Sequence, residues 1–318
     1  QRSCPVGAID YEQEDVVVEQ QVGAVILATG YDLYGLSRMP EYGGGHVPDV
    51  IDGLAFERLL SASGPTAGKV QRPSDGKTPR RIVFVQCVGA RGEGGRPYCS
   101  RFCCMNAVKD SMLIRQHDAE VEDVTILYTD LRAFGKGYEQ FYQNAKAMGI
   151  EFVKAKVAKV SRGENQNVAL RFENQEGDGG VMTREHDLTV LSLGILPEWN
   201  PMGVCPVSVD GDAFIKSIMP KIAPTLTDME GVFVAGIAAG PKDIVDTIAE
   251  AGAAAMEVSG YLHRRQHHHP PGMGAPPERR GPGPARGRGS PHAAGRGRQG
   301  MDRGAGPRRR GGDRGCRL

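Results

Sequence analysis

The chain has 318 residues, of which 40% are hydrophobic and 24% are charged, enough for about two ordinary domains. Its net charge of +1 averages two unlike segments, because residues 263–318 hold 14 Arg, no Lys and three acids and carry +11, while the rest carries −10. No apolar run approaches the ~20 residues of a membrane-spanning helix and no secretory signal is visible, so neither a membrane-spanning nor a secreted protein is expected.

The first half of the chain changes from extended, loop-like patterns to an alternation of strands and helices. Two β-branched runs, 16–18 and 22–27, predict a strand, a turn and a buried strand. Residues 31–53 are rich in Gly, Pro and Tyr and predict a long loop, followed by a short helix over 55–62. The next elements are a strand over 81–86, a helix over 99–116 and a strand over 123–128.

The second half continues this alternation. It predicts a helix over 136–148, strands over 151–157, 168–172, 188–193 and 231–235, and an Ala-rich helix over 244–261. Strands that alternate with helices are typical of a doubly wound α/β architecture, in which ligands bind at the carboxyl ends of the strands.

Small residues follow two of the predicted buried strands. Ala28, Thr29 and Gly30 follow the first, and Gly236 and Ile237 follow the strand over 231–235. Small residues at a strand end let backbone amides approach a phosphate or the edge of a flavin, and a helix amino terminus favours negative charge there. The alternative is that both are structural strand ends.

Four cysteines lie within 18 residues, at Cys87, Cys99, Cys103 and Cys104. Four thiolates commonly hold one iron–sulfur cluster, and the arginines at 91, 96 and 101 would offset its negative charge. Structural zinc is an alternative that adjacent cysteines suit poorly, because zinc sites usually use Cys-x2–4-Cys pairs. A redox dithiol and a set of inert core cysteines are also compatible with the spacing. The clustering favours a reducing, cytoplasmic setting.

The remaining cysteines carry weaker signals. Cys4, followed by Pro5, resembles the end of the bacterial ferredoxin run C-x2-C-x2-C-x3-C-P, whose other cysteines would precede residue 1. Cys205 has no cysteine near it in the sequence, so we expect it to be a small buried residue. Cys316 lies in the basic tail and is assigned no role.

Residues 4–262 resemble the HdrA-like flavoproteins, the A subunit of heterodisulfide reductase and its relatives in anaerobes. The motifs that carry this resemblance are VGAVILATGYD, QCVGAR, YCSRFCCM, RAFGKGYE and GPKDI. The resemblance implies a thioredoxin-reductase-like protein that binds FAD and carries a [4Fe-4S] cluster. It makes Cys87, Cys99, Cys103 and Cys104 the ligands, places Lys109 beside the flavin ring, and adds Lys242, Asp243, Ile244 and Thr247 to the flavin site.

The resemblance also implies a division of the chain. Residues 1–79 would be a partial FAD-binding lobe with the end of a ferredoxin-like segment, and 80–200 an inserted Rossmann-like lobe that carries the cysteines. Residues 201–262 would return to the FAD-binding lobe. The Arg/Gly/Pro-rich composition of 263–318 independently predicts a disordered tail and also fits coding DNA read out of frame. The family's amino-terminal G-x-G-x-x-G is absent, and Gly236-Ile237 replaces a usual Gly-Asp.

The implied function is that of an electron-transfer flavoprotein subunit. Its partners would be the other subunits of a heterodisulfide-reductase-like complex, with ferredoxin or hydrogenase-type donors, and a homodimer of this subunit is expected. One alternative is a pyridine-nucleotide disulfide oxidoreductase that uses the Cys103-Cys104 dithiol. A second is nucleic-acid binding through the Arg/Gly tail, because such segments bind RNA without sequence preference; nucleic acid is not the expected partner.

Overall fold

A computed structural model describes residues 6, 8–92, 96–177, 179–199 and 203–267. In chain order its strands and α-helices are β1 (Val25–Leu27), β2 (Tyr31–Leu33), β3 (Val50–Asp52), α1 (Gly53–Leu60), β4 (Arg81–Val88), α2 (Cys103–His117), β5 (Asp123–Tyr128), α3 (Tyr138–Ala147), β6 (Glu151–Arg162), β7 (Val168–Asn174), β8 (Gly180–His186), β9 (Leu188–Leu193), β10 (Ile195–Pro197), β11 (Val232–Val234) and α4 (Ile244–His267). Among these described residues, no helix is both long and apolar enough to cross a bilayer.

The main sheet is mixed and, within the described residues, has the strand order β3-β9-β4-β5-β6-β7-β8. The first five strands in this order are parallel, and β7 and β8 add antiparallel strands at one edge. β4 is apolar on both faces, since Ile82 and Phe84 pack into one core and Val83 and Val85 into the other. Such continuous burial is typical of a parallel strand covered on both sides.

A second, smaller sheet brings distant parts of the chain together. β1 pairs in parallel with β11, and Leu27 lies opposite Val234. The backbone N–H of Ala235 donates to the carbonyl of Leu27 at 3.0 Å, so the two strands end at the same edge. β2 pairs with β10 in an antiparallel arrangement. Residues that precede the main sheet in the sequence and residues that follow it therefore form one structural unit.

Most predicted elements are present, and the differences have local causes. The run at 16–18 is not a strand: no described strand pairs with it, and Val17 is 96% exposed. The predicted loop over 31–53 contains β2 and β3, and the predictions omitted β8 and β10. Helix α2 starts at Cys103 and not at 99, because Arg101 has a left-handed backbone (φ +70°) that a helix excludes.

The last helix is longer than its sequence indicated. α4 continues through His267, so residues 263–267 belong to a helix and not to the predicted disordered tail. The rest of that tail, with Cys316, lies outside the described residues, as does Cys4. The α/β class predicted from the alternation of strands and helices is confirmed by the parallel strands and the helices that pack on them.

Candidate cofactor cavity and cysteine cluster

A cavity of about 930 Å³ opens where β1 and β11 end. Its wall includes eight of the nine residues that were predicted to bind a cofactor: Ala28, Gly30, Gly236, Ile237, Lys242, Asp243, Ile244 and Thr247. Lys109 and Cys103, both on α2, line it as well. Thr29 is not among the lining residues. The parallel pairing of β1 with β11 explains this convergence, because it places both strand ends at one edge.

Two lining glycines lie two or three residues beyond the strand ends. Gly30 and Gly236 have left-handed backbones, with φ of +79° and +71°. Residues other than glycine rarely adopt these backbone angles. Apart from its own chain neighbours, no atom of the described residues lies within 4 Å of where a Cβ of Gly30 would stand, so the backbone there is open to a ligand. This arrangement suits a group that approaches the main chain closely, as a flavin or a phosphate does.

A buried ion pair fixes the turn at Gly236. The Glu250 carboxylate accepts the backbone N–H of Gly236 and the ammonium of Lys242, each at 2.6 Å. The same ammonium donates to the carbonyl of Gly236 at 2.7 Å. The side chains of Lys242 and Glu250 are only 10% and 12% exposed. Glu250, on α4, thus supplies a carboxylate near the position where Gly236-Ile237 replaces Gly-Asp.

The Lys242→Met variant is expected to lower the free energy of unfolding by about 3–5 kcal/mol, because it leaves the buried Glu250 charge unpaired. Adding Glu250→Leu to it should restore part of that stability, since the uncompensated charge is then removed as well. Urea denaturation of the full chain measures both. A single variant no less stable than the double variant would show that the pair is not a buried, coupled one.

Lys109 lies on the cavity wall in a network of charges. Its ammonium binds the Glu57 carboxylate at 2.6 Å and Asp110 at 3.1 Å. Burial works to lower the pKa of Lys109, but the hydrogen bond from its ammonium to Glu57 and the charge of Asp110 outweigh burial and raise that pKa. Burial raises the pKa of Asp110, which is 1% exposed, to about 7. Lys109 is therefore a paired cation at the cavity and not a freely solvated helix lysine.

The four clustered cysteines stand where β4 ends and α2 begins. Cys87 is in β4 with a left-handed backbone (φ +62°), Cys99 precedes the helix, and Cys103 and Cys104 occupy its first turn. Cys87 and Cys99 are half-buried, whereas Cys103 and Cys104 are buried. A helix amino terminus favours thiolates. Long-range folding thus brings Cys87 beside the other three.

N–H donors contact two of the four sulfurs. The Arg91 guanidinium lies 3.7 Å from Cys87 Sγ, and the backbone N–H of Arg101 donates to Cys99 Sγ at 3.3 Å. The backbone N–H of Arg132 helps to lower the pKa of Cys104. Such hydrogen bonds stabilise thiolates and tune iron–sulfur clusters. Sequence reasoning did not find Arg132, although it closely follows β5, the strand beside β4.

The thiols influence each other's ionisation. The hydrogen bond from Cys103 lowers the pKa of Cys104 to about 7, although burial opposes this. The same bond, followed by burial, raises the pKa of Cys103 well above its usual value. Burial and then the charge of Cys104 raise the pKa of Cys87, which Arg91 counteracts. These mutual effects place the sulfurs in one electrostatic neighbourhood.

The donor set determines which inorganic group these residues suit. Within the described ranges, no three His, Cys, Asp or Glu side chains are arranged to hold a metal ion. The fit to an iron–sulfur cluster therefore rests on donor chemistry: four neighbouring thiols, of which two accept N–H hydrogen bonds. Cys205 packs elsewhere, buried with the β1–β11 core, and its sulfur is 3.8 Å from that of Met229.

Arg101 joins the cysteine segment to the cavity. Its guanidinium donates to the Asp246 carboxylate at 2.7 Å and to the carbonyl of Pro241 at 3.3 Å. Tyr138, on α3, contacts the same region, since its hydroxyl donates to Asp243 at 3.3 Å. Both contacts end at the start of α4. Arg101, which lines the cavity, thereby holds the cysteine-bearing segment against it.

Comparison with known proteins gives extensive matches to one family. The A subunit of the ferredoxin/F420H2-dependent CoB-CoM heterodisulfide reductase of Methanosarcina acetivorans is 42% identical over 266 residues, 82% of this chain and 33% of that protein. One of the iron-sulfur A subunits of the CoB–CoM heterodisulfide reductase of Methanopyrus kandleri is 44% identical over 261 residues, 80% of this chain and 40% of that protein. The matched part of the chain belongs to the HdrA-like family, as predicted, and spans a third to two fifths of these relatives.

Other comparisons add less. No protein-family model matches the chain. The thioredoxin reductase of T. acidophilum aligns with 76% of this chain and 66% of its own, with 16% identity and a TM-score of 0.45. The thioredoxin reductase of Lactococcus lactis gives the same coverage and TM-score with 15% identity.

Proposed function

We propose that this chain is the electron-transfer part of the A subunit of a heterodisulfide reductase. In this proposal FAD binds in the 930 Å³ cavity, and Cys87, Cys99, Cys103 and Cys104 hold a [4Fe-4S] cluster. One observation carries the proposal: Cys103 belongs both to the thiol cluster and to the wall of the cavity. A cofactor in the cavity would therefore be adjacent to a cluster ligand.

The cavity residues have distinct tasks in this proposal. Bound FAD would supply the ability to take up an electron pair and release electrons one at a time. Gly30 and Gly236 would bring the backbone close to it, and Leu33, Leu193 and Ile248 would exclude water. Lys109 would keep a positive charge at the cavity wall, held in place by Glu57. A fixed cation stabilises an anionic reduced cofactor without reorganisation.

The Lys109→Met variant is expected to lower the flavin midpoint potential by about 30–60 mV, because a hydrogen bond to a charged group contributes about 1.5–3 kcal/mol and 30 mV corresponds to about 1.4 kcal/mol for two electrons. A spectroscopic redox titration measures this. Lys146→Met, on α3 and not among the residues that line the cavity, is the matched control. An unchanged potential in Lys109→Met would remove Lys109 from the flavin site.

The partners are part of the proposal and extend beyond this chain. A relative from Methanothermobacter marburgensis is named as the A subunit of an H2:CoB-CoM heterodisulfide, ferredoxin reductase, and it is 42% identical over 265 residues. We accordingly propose that this chain works in the cytoplasm with the other subunits of such a complex and with ferredoxin or hydrogenase-type donors. The proposed homodimer of this chain would be part of that assembly.

Cofactor content tests the proposal. The full chain is purified anaerobically, reconstituted with iron, sulfide and FAD, and assayed for iron, acid-labile sulfide, zinc and flavin. The proposal predicts about four irons and four sulfides per chain, together with bound flavin. Zinc in place of iron would favour a structural metal site. A metal-free chain in which Cys103 and Cys104 form a reversible disulfide would favour the dithiol oxidoreductase.

A further inference from the structure

Asp130 occupies a position between two arginines at the edge of the cysteine cluster. It lies just beyond the end of β5, the strand that pairs with β4. Its carboxylate accepts hydrogen bonds from the guanidinium of Arg91 and, at 3.3 Å, from Nε of Arg132. The Asp130 side chain is 48% exposed and that of Arg91 is 23% exposed. No sequence motif marked this residue.

One of the two arginines, Arg91, also contacts a sulfur. Its guanidinium points one nitrogen at both Asp130 and Cys87 Sγ, which is 3.7 Å away. Arg91 has a left-handed backbone (φ +61°), which is uncommon for a residue other than glycine. Its contacts with Asp130 and Cys87 set the direction of its side chain. Asp130 is the carboxylate that bonds to both arginines.

We propose that Asp130 is a positioning residue that sets the reduction potential of the cluster by holding Arg91 against Cys87. This inference rests on the proposed function, because it needs a cluster on these cysteines. Reduction adds one electron and no proton to the cluster, so the reduced form is more negative by one charge. A cation and N–H donors at the sulfurs stabilise that form and raise the potential.

The sign of one substitution distinguishes positioning from simple charge. If Asp130 acted only through its own negative charge, Asp130→Asn would raise the potential, because a nearby negative charge opposes the uptake of an electron. If Asp130 acts by holding Arg91, the same change releases the guanidinium and lowers the potential. Asparagine keeps the size and most of the polarity of aspartate, so the direction of the potential shift in this one variant distinguishes the two effects.

The experiment is an EPR-monitored redox titration of the reconstituted full chain as wild type, Asp130→Asn, Arg91→Gln and the double variant. We expect each single variant to reduce the ratio of reduced to oxidised cluster about tenfold at a fixed potential, a shift of about 59 mV for one electron. The double variant should shift no further than Arg91→Gln, because Asp130 acts through Arg91. Asp75→Asn, in an ion pair with Arg72, is the control.

Two results overturn the inference while leaving the proposed function standing. One is a wild-type cluster signal with an Asp130→Asn potential that is unchanged or raised. The other is a double variant whose shift is the sum of the two single shifts. A wild-type chain that forms no cluster overturns the proposed function and this inference together, and iron analysis of the same sample identifies that case.

Discussion

The Cys103→Ala variant is expected to lose the iron of the reconstituted chain, from about four atoms per chain to the background level. Cys103 is buried, as is its neighbour Cys104, and the proposal makes it one of the four ligands of the cluster. The loss should be specific to the cluster, because removing one buried sulfur typically costs only about 1 kcal/mol of stability. Iron and sulfide analysis after anaerobic reconstitution measures the effect.

The control for this substitution is Cys316→Ala, which changes a cysteine outside the proposed ligand set. It should keep the wild-type iron content. Circular dichroism of both variants separates loss of the cluster from loss of the fold. A folded Cys103→Ala variant that retains about four irons would contradict the assignment of this residue as a ligand.

The Gly236→Val variant is expected to lower flavin affinity at least tenfold. Gly236 has a φ of +71°, which a β-branched residue adopts only with about 1–3 kcal/mol of strain, and its side chain would enter the cavity wall. A loss of about 1.4 kcal/mol of binding free energy corresponds to tenfold. Fluorescence titration with FAD measures the affinity.

Gly45→Val is the matched control for backbone strain. Gly45 also has a left-handed backbone, at φ +75°, but it does not line the cavity. Its valine variant should therefore lose stability without losing flavin. Equal losses of flavin affinity in both variants would show that strain, and not the cavity wall, explains the result.

The cavity could be predicted because its residues are marked locally. β1 and β11 are short apolar runs that end in small residues, and both ends carry glycines. The two strand ends lie at the same edge whenever the two strands are parallel neighbours. The cysteine cluster was equally visible, since four thiols in 18 residues leave few interpretations.

Glu250 and Asp130 could not be predicted in the same way. Glu250 reaches Gly236 only after α4 folds back over the end of β11, and nothing local distinguishes it from other glutamates. Asp130 follows β5, so its proximity to Cys87 depends on the pairing of β5 with β4. The strand that was wrongly predicted over 16–18 shows the converse error, because β-branched residues do not form a strand without a partner strand.

The most direct test of the account asks whether electrons pass between the cavity and the cysteines. The reconstituted full chain is illuminated anaerobically with EDTA, which reduces bound flavin, and the cluster is followed by EPR as the flavin absorbance bleaches. We expect the cluster signal to appear during bleaching. Dithionite poised at the same potential is the control and should reduce the cluster. If it does, a flavin that bleaches completely while the cluster stays oxidised would contradict electron transfer between the two sites.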